Sequence, residues 1–409
     1  MNPQNKNNIP QGYKTTPLGI IPQEWEVEPL HYLGQIYSGG TPDTEVEEYW
    51  NGDIAWCTPS DITKLTTKYI ECTDVKITGR GLKESSVTLL PPQSIVVCTR
   101  ATIGNAAICT TDIATNQGFK NIIPNKETNS EWLYYMIIYS KPRLVRLGCG
   151  STFLEVSKKD FSRFKILVPP LAEQKKIAEI LGIWDKAIEK QTQLIKKLEL
   201  RKKGLMQHLL TGKKRLPGFS GEWRKVKLGK LFIERNEINK AHLPLLSITA
   251  DRGVIFQSES DKRDISNDDK SKYKHICPND IGYNTMRMWQ GRCALSSLEG
   301  IVSPAYTIIT PNKDINPYFM EMLFKQPFTI YCFWTHSQGL VNDTLNCKFP
   351  DFSQIKVTIP NFEEQNAISQ FFKGINHEIE LCTQKLNSLL QQKKGLMQVL
   401  LTGKKRINI

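Results

Sequence analysis

The 409-residue sequence predicts an α+β protein written twice: two globular domains, each followed by a long α-helix, with the helices packed as an antiparallel coiled coil in a pseudo-two-fold repeat. Three observations carry this. The fifteen residues KKGLMQHLLTGKKRL (Lys202–Leu216) return as KKGLMQVLLTGKKRI (Lys393–Ile407), 191 positions on, differing only at His208/Val399 and Leu216/Ile407. The stretch leading into each copy carries an apolar seven-residue stripe. The remainder holds short apolar runs punctuated by Pro, Gly, Asn and Asp, the pattern of strands and turns.

The elements follow in order. EWEVEPLHYL (Glu24–Leu33) opens the first half and EWRKVKLGKL (Glu222–Leu231) the second, at an offset of 198. QSIVVCTR, AAICTT, FKNIIP and FKILVP read as strands and SEWLYYMIIYS as a short helix, which places the first globular domain at residues 1–168. Helix 169–212 carries Ile177, Trp184, Gln191, Leu198 and Leu205, with Leu181, Ile188, Ile195, Lys202 and Leu209 four positions beyond each. It starts after a proline and stops at Gly212, where a left-handed residue is expected. At 1.5 Å per residue it would be roughly 60 Å long, more than either domain needs. The second domain, 213–359, contains AYTIITP, PYFMEMLFKQP and IKVTIP, and matches the first at an offset of 187 through Gly104/Gly291, Ala107/Ala294, Phe119/Tyr306, Pro124/Pro311 and Asn129/Asn316. The last helix, 360–404, repeats the stripe from Ile368 to Leu400, opens on a capping-box sequence, Asn361-Phe362-Glu363-Glu364, and ends at Gly403. Two such stripes bury each other when the helices lie side by side, and an antiparallel pair would act as a spacer between the domains.

Composition narrows the partners. Lys and Arg number 54 against 41 Asp and Glu, a net charge of +13 that attracts polyanions, nucleic acid first among them. No stretch approaches eighteen uncharged apolar residues and the N-terminus has no apolar leader core, so a cytoplasmic protein without a membrane partner is expected. The 10 cysteines show no C-x-x-C and no nearby histidine pairing, which argues against zinc and against a disulfide framework.

Catalytic motifs fail one by one. LGCGS (Leu147–Ser151) lacks the acidic strand end and last glycine of an S-adenosylmethionine turn. INPYF and VPPL each give only part of the Asn-Pro-Pro-Tyr loop of amino-methyltransferases. LLTGKKR lacks the upstream glycine of a phosphate-binding loop. TPDTEVE and PSDIT lack a lysine placed beside paired acids, as a nuclease needs. The expectation is no catalytic residue and no metal ligand in this chain.

SGGTP (Ser38–Pro42), WNGDIAWCTPSDI (Trp50–Ile62), TNQGFKN (Thr115–Asn121), PPLAEQKKIAEIL (Pro169–Leu181), GIVSPAY (Gly300–Tyr306) and the two GLMQ-LLTGKKR endings together resemble the specificity subunit of type I restriction-modification enzymes. The resemblance covers nearly the whole chain, although the second domain shares little with the SGGTP and WNGDI segments of the first. It implies two target-recognition domains that each read one half of an asymmetric, interrupted sequence in double-stranded DNA. It implies helices that set the gap, and assembly with two modification (methyltransferase) subunits and then with restriction (endonuclease/translocase) subunits. It implies no cofactor in this chain, with S-adenosylmethionine, ATP and Mg2+ expected in the partner subunits. A stand-alone architectural DNA-binding protein is the alternative, and it would bind without sequence preference; a self-sufficient methyltransferase or nuclease would be active alone.

Comparison of the two halves suggests where DNA contacts lie. Arg100 and Arg287 each stand four residues before a matched glycine, which suits phosphate contact or a fold-fixing role better than sequence choice. Base readers belong where the halves diverge: Thr58, Ser60, Lys64, Lys68, Arg80 and Lys83 in residues 41–90, and Arg252, Gln257, Arg263, Asn267, Lys270 and Lys272 in residues 236–277. Glu173, Gln174, Glu364 and Gln365, at the helix starts, suit caps or partner contacts. The basic runs at Lys196–Arg215 and Lys393–Arg406 suit DNA phosphates or an acidic partner surface.

Overall fold

The computed structural model describes residues 9–148, 154–249, 252–260, 268–339 and 345–407. The chain divides into two compact units, residues 1–194 with 383–409, and residues 195–382. Each unit therefore takes a globular domain from one repeat and part of both long helices.

In the first unit a five-stranded sheet runs in the order Gly34–Ser38, Phe119–Pro124, Ile95–Cys98, Ala106–Cys109, Tyr69–Ile70, antiparallel except for the last pair. A three-stranded sheet sets Trp50–Cys57 between Ile113–Thr115 and Lys76–Ile77. The helix Ser130–Val145 starts where the Asn129 side chain accepts the Trp132 N–H, and it buries Trp132, Leu133, Tyr135, Met136, Ile137 and Leu144.

The second unit repeats the central sheet with four antiparallel strands, Phe232–Glu234, Tyr306–Pro311, Ile281–Asn284 and Cys293–Leu295. Tyr306–Pro311 is Phe119–Pro124 moved by the 187 positions read from the sequence. The helix Pro317–Phe324 is likewise capped by Asn316, whose side chain accepts the Phe319 N–H. The offset between Ile95 and Ile281, which pair with the matched Ile122 and Ile309, is 186. One extra residue thus enters the loop before Gly291, and Arg287 and Arg100 sit in loops of different length.

Domain and helix join in the same way in both units. The strand Lys165–Val168 pairs antiparallel with Glu26–Pro29, and Lys356–Ile359 with Arg224–Lys227, so each domain's last strand is held against its opening segment just before the helix begins. The helices run Leu171–Leu209 and Phe362–Leu400, 39 residues each and so about 58 Å long. Every position of both seven-residue stripes is buried or half-buried. In the first unit Ile177, Ala178 and Leu181 share a core with Leu396, Met397, Leu400 and Leu401; in the second, Leu205, Met206, Leu209 and Leu210 share one with Ile368, Phe372 and Ile375. In each unit the start of one helix lies against the end of the other, which is the antiparallel arrangement. Gly212 and Gly403 end the helices with φ of 69° at both, the left-handed turn anticipated for them.

Candidate nucleic-acid interface

Each helix start holds a buried, multiply bonded glutamate. In the first unit Glu173, fully buried, accepts the indole N–H of Trp25 at 2.9 Å and the guanidinium of Arg406 at 3.0 Å, while Arg406 also reaches Glu24 at 2.8 Å. In the second unit Glu364 accepts the indole N–H of Trp223 at 3.2 Å and two bonds from Arg215 at 2.5 Å each. The Gln next to each glutamate finishes the joint. Gln174 accepts the Asn129 N–H and donates to the carbonyls of Glu127 and Pro169; Gln365 accepts the Asn316 N–H and donates to that of Pro360.

These contacts correct two expectations. Glu173, Gln174, Glu364 and Gln365 are buried and bonded within their own units, so their side chains do not present a partner surface. The capping box is half made: Asn361 accepts the Glu364 N–H, but the Glu364 carboxylate goes to Arg215 and Trp223 instead of returning to the cap. Arg215 and Arg406 likewise leave the basic runs for internal carboxylates. The sequence signal was the co-occurrence of Glu-Trp, Glu-Gln and Gly-Lys-Lys-Arg in both halves.

Lys68 is also corrected. Its side chain is 8% exposed, bonds Glu131 at 2.6 Å and Tyr135 Oη at 2.9 Å, and lies 3.8 Å from Asp185, which is itself paired with Lys393. A lysine enclosed by two carboxylates and a phenol cannot reach a base edge. It fastens residues 41–90 to the long helices, and the same cluster removes Lys393 from the basic run.

The other expected contacts divide by position. Ser60, Lys64, Arg80, Lys83, Arg252, Lys272 and Arg287 are exposed; Thr58, Arg100, Gln257 and Lys270 are half-buried. Arg263 and Asn267 lie outside the described residues. Thr58 caps the helix Pro59–Lys64 through a capping box with Asp61. Lys64 pairs with Asp74, and Arg80 pairs with Glu84 and lies over the Tyr49 ring. Gln257 accepts from Ser247, Lys270 lies over the Tyr273 ring, and the Arg100 backbone bridges Glu155. Thr58, Ser60 and Lys64 follow the C-terminal end of strand Trp50–Cys57, whereas Arg80 and Lys83 sit beside Tyr49 at its other end. The two groups lie toward opposite ends of this strand, which is bulged where Trp50 and Ile54 both pair with Ile77.

Sequence reasoning also passed over a basic concavity of about 420 Å³ in the first unit, lined by Arg143, Arg146, Arg163 and Lys165 with Asp160 as its one acid. Its charge and size suit a phosphodiester. Burial lowers the Arg143 pKa from its ordinary value, and its guanidinium donates to the Lys165 carbonyl at 2.8 Å and lies over the Phe164 ring. No helix among the described residues is long and apolar enough to cross a membrane.

Known proteins are similar to this chain in part of its sequence, and others in fold. Residues 22–200 match the family model of the type I restriction modification DNA specificity domain. The type I restriction enzyme MjaIX specificity subunit of Methanocaldococcus jannaschii is 37% identical over 46% of this chain and 45% of its own length. The EcoR124I/EcoR124II specificity subunit of Escherichia coli is 30% identical over 47% of this chain and 48% of its own length. Over these two matches the chain spans just under half of each relative. The MjaVIII specificity subunit of M. jannaschii is 26% identical over 95% of this chain and 94% of its own length. Among solved structures, the S subunit of a type I restriction-modification system from M. genitalium superposes with a TM-score of 0.52 at 15% identity, covering 92% of this chain and 96% of that one. A chain from a study of type I system assembly and conformational transition superposes with a TM-score of 0.60 at 16% identity, covering 94% and 99%.

Proposed function

We propose that this chain, whose residues 22–200 match the type I restriction modification DNA specificity domain, is the DNA-recognition subunit of a type I restriction-modification complex. Each globular domain reads one half of a bipartite, asymmetric target in double-stranded DNA, and the paired helices set the gap. The observation that carries this reading is the matched pair of Glu–Trp–Arg joints: they fix two domains of one framework to one helix pair, while the surface stretches 41–90 and 236–277 differ. A shared framework with unlike loops suits a protein that must read two unlike half-sites.

The chain itself is non-catalytic in this proposal. Two modification subunits supply S-adenosylmethionine chemistry, restriction subunits supply the steps that use ATP and Mg2+, and the assembly works in the cytoplasm where the DNA is. Architectural DNA binding without sequence preference gains nothing from such divergence between the two stretches. Mapping methylated adenines in cells with and without the gene tests the proposal. The expected result is loss of methylation at one interrupted, asymmetric sequence; an unchanged map in cells that express the modification subunits would refute it.

A further inference from the structure

The strand Lys274–Ile276 pairs antiparallel with Gly300–Val302, with Ile276 opposite Gly300, so Cys277 and Glu299 come opposite each other at the end of the ladder. His275, two residues before Cys277, shares its face of the strand. His275 Nδ1 lies 2.7 Å from Glu237 Oε2, and Nε2 lies 3.0 Å from Glu299 Oε1 and 3.5 Å from Cys277 Sγ. The three donor atoms of His275, Cys277 and Glu299 all fall within 4.8 Å of one another.

We propose that His275, Cys277 and Glu299 form a binding site for a thiophilic divalent metal ion of the zinc type, with Glu237 as its supporting carboxylate and a fourth position open to water. Ligand bonds of about 2.0 Å to nitrogen and oxygen and about 2.3 Å to sulfur give a tetrahedron with edges of about 3.3 Å and about 3.6 Å. The Nε2–Oε1 and Nε2–Sγ distances of 3.0 Å and 3.5 Å are close to these. Sγ also lies 3.9 Å from Nδ1, beside the ring, so the Cys277 side chain would have to rotate toward Glu299 to complete the set. Glu237 on Nδ1 fixes the tautomer that leaves Nε2 as the ligand, the usual support for a metal-bound imidazole. An imidazolium clamped between Glu237 and Glu299 would account for two carboxylates. It does not itself place the Cys277 thiol beside the ring, 3.5 Å from Nε2 and 3.9 Å from Nδ1. This corrects the expectation that the cysteines have no histidine nearby: the ladder turns His275 and Cys277 toward one point, and Glu299 comes from a strand distant in sequence.

The surroundings fix how the site would load. Burial raises the Cys277 thiol pKa above its ordinary value, with Arg235 opposing and Asp280, Glu299 and Glu237 adding to the rise. The metal must therefore displace a proton, and affinity should increase with pH. The ion would brace the end of residues 236–277, and the inference does not depend on what that stretch binds.

The test uses the purified full-length chain, stripped of metal and titrated with Co2+. One equivalent should bind with a thiolate-to-cobalt charge-transfer band, Zn2+ should displace it, and Zn2+ should raise the Tm. Cys277→Ala should abolish both the band and the Zn2+-dependent shift. Glu237→Gln should weaken Co2+ binding about 10- to 100-fold. Glu299→Gln alters an exposed side chain, so it tests the site even if the Cys277 variant does not fold, and it too should weaken binding. Absence of a stoichiometric band, a band that survives Cys277→Ala, or unchanged affinity in Glu299→Gln overturns the proposal.

Discussion

Arg406 Nε donates to Glu173 Oε1 at 3.0 Å across 233 positions of sequence, and Arg215 repeats the contact with Glu364 across 149. The arginine at the end of each repeat thus closes on the glutamate that opens the other repeat's helix. Such a reciprocal contact requires an antiparallel pair, and it explains why the same fifteen residues stand twice in the chain. The fifteen-residue copy preserves a joint.

Arg215→Ala should therefore destabilise the second unit by about 2–3 kcal/mol. Removing one partner of a buried pair typically costs about 3–5 kcal/mol, and the partial exposure of Arg215 lowers that. Arg406→Ala should cost less, because its guanidinium is shared with the exposed Glu24. Urea unfolding of the full chain measures both, and a loss below about 0.5 kcal/mol for Arg215→Ala would show that the pair is not a joint.

Lys68→Ala should destabilise the first unit and leave sequence choice unchanged. It leaves Glu131, about a third exposed, with the Tyr69 hydroxyl alone, while Asp185 keeps Lys393 and the Tyr135 hydroxyl, so about 1–2 kcal/mol is expected rather than the full cost of a buried pair. Lys68→Ala that relaxed a base preference without loss of stability would return the residue to the DNA-contacting set.

Much of the architecture was legible in the sequence because repetition made it so. The stripes from Ile177 to Leu209 and from Ile368 to Leu400, the left-handed Gly212 and Gly403, and the matched Asn129 and Asn316 caps each had a counterpart 187 or 191 positions away. The side chains were harder to place. Lys68 and Lys83 look alike in a polar, basic stretch, and only the fold shows that Lys68 points at Glu131 and Asp185. Glu173 and Glu364 were visible as repeated acids, but their partners come from the far end of the other repeat, a pairing that local spacing cannot express. His275 and Cys277 stood two positions apart in the sequence, but Glu299 comes from the neighbouring strand, which local spacing does not show.

If the DNA reading holds, Arg287→Ala should weaken binding of the assembled complex to all sequences alike and lower the salt slope by about one. Arg287 is exposed, with only its backbone used in the turn that follows it, and it suits a phosphate. Arg100→Ala should act in the same direction. Its half-burial predicts an added loss of stability, which thermal melts would separate from the DNA effect. Relaxed choice at a single base pair in either variant would contradict a phosphate role.

The last prediction treats the helices as a ruler. Four residues added next to Gly212 would push Arg215 away from Glu364 and break the joint, so the lengthening belongs in mid-helix, after Gln191 and after its counterpart Cys382. Four residues extend each helix by about 6 Å, close to two base pairs at 3.4 Å each. They turn it about 40° past a full rotation, while two base pairs turn the duplex by roughly 70° in the same right-handed sense. A seven-residue insertion would keep the stripe in register, but it would turn about 20° short of two full rotations while three base pairs turn the duplex by roughly 100°. The four-residue variant should therefore stay active with both half-sites unchanged and a gap longer by one or two base pairs. The seven-residue variant should lose most activity. Methylation mapping of both decides the matter: an unchanged gap in an active four-residue variant would mean that the helices do not measure it, and altered half-sites would mean that they take part in reading bases.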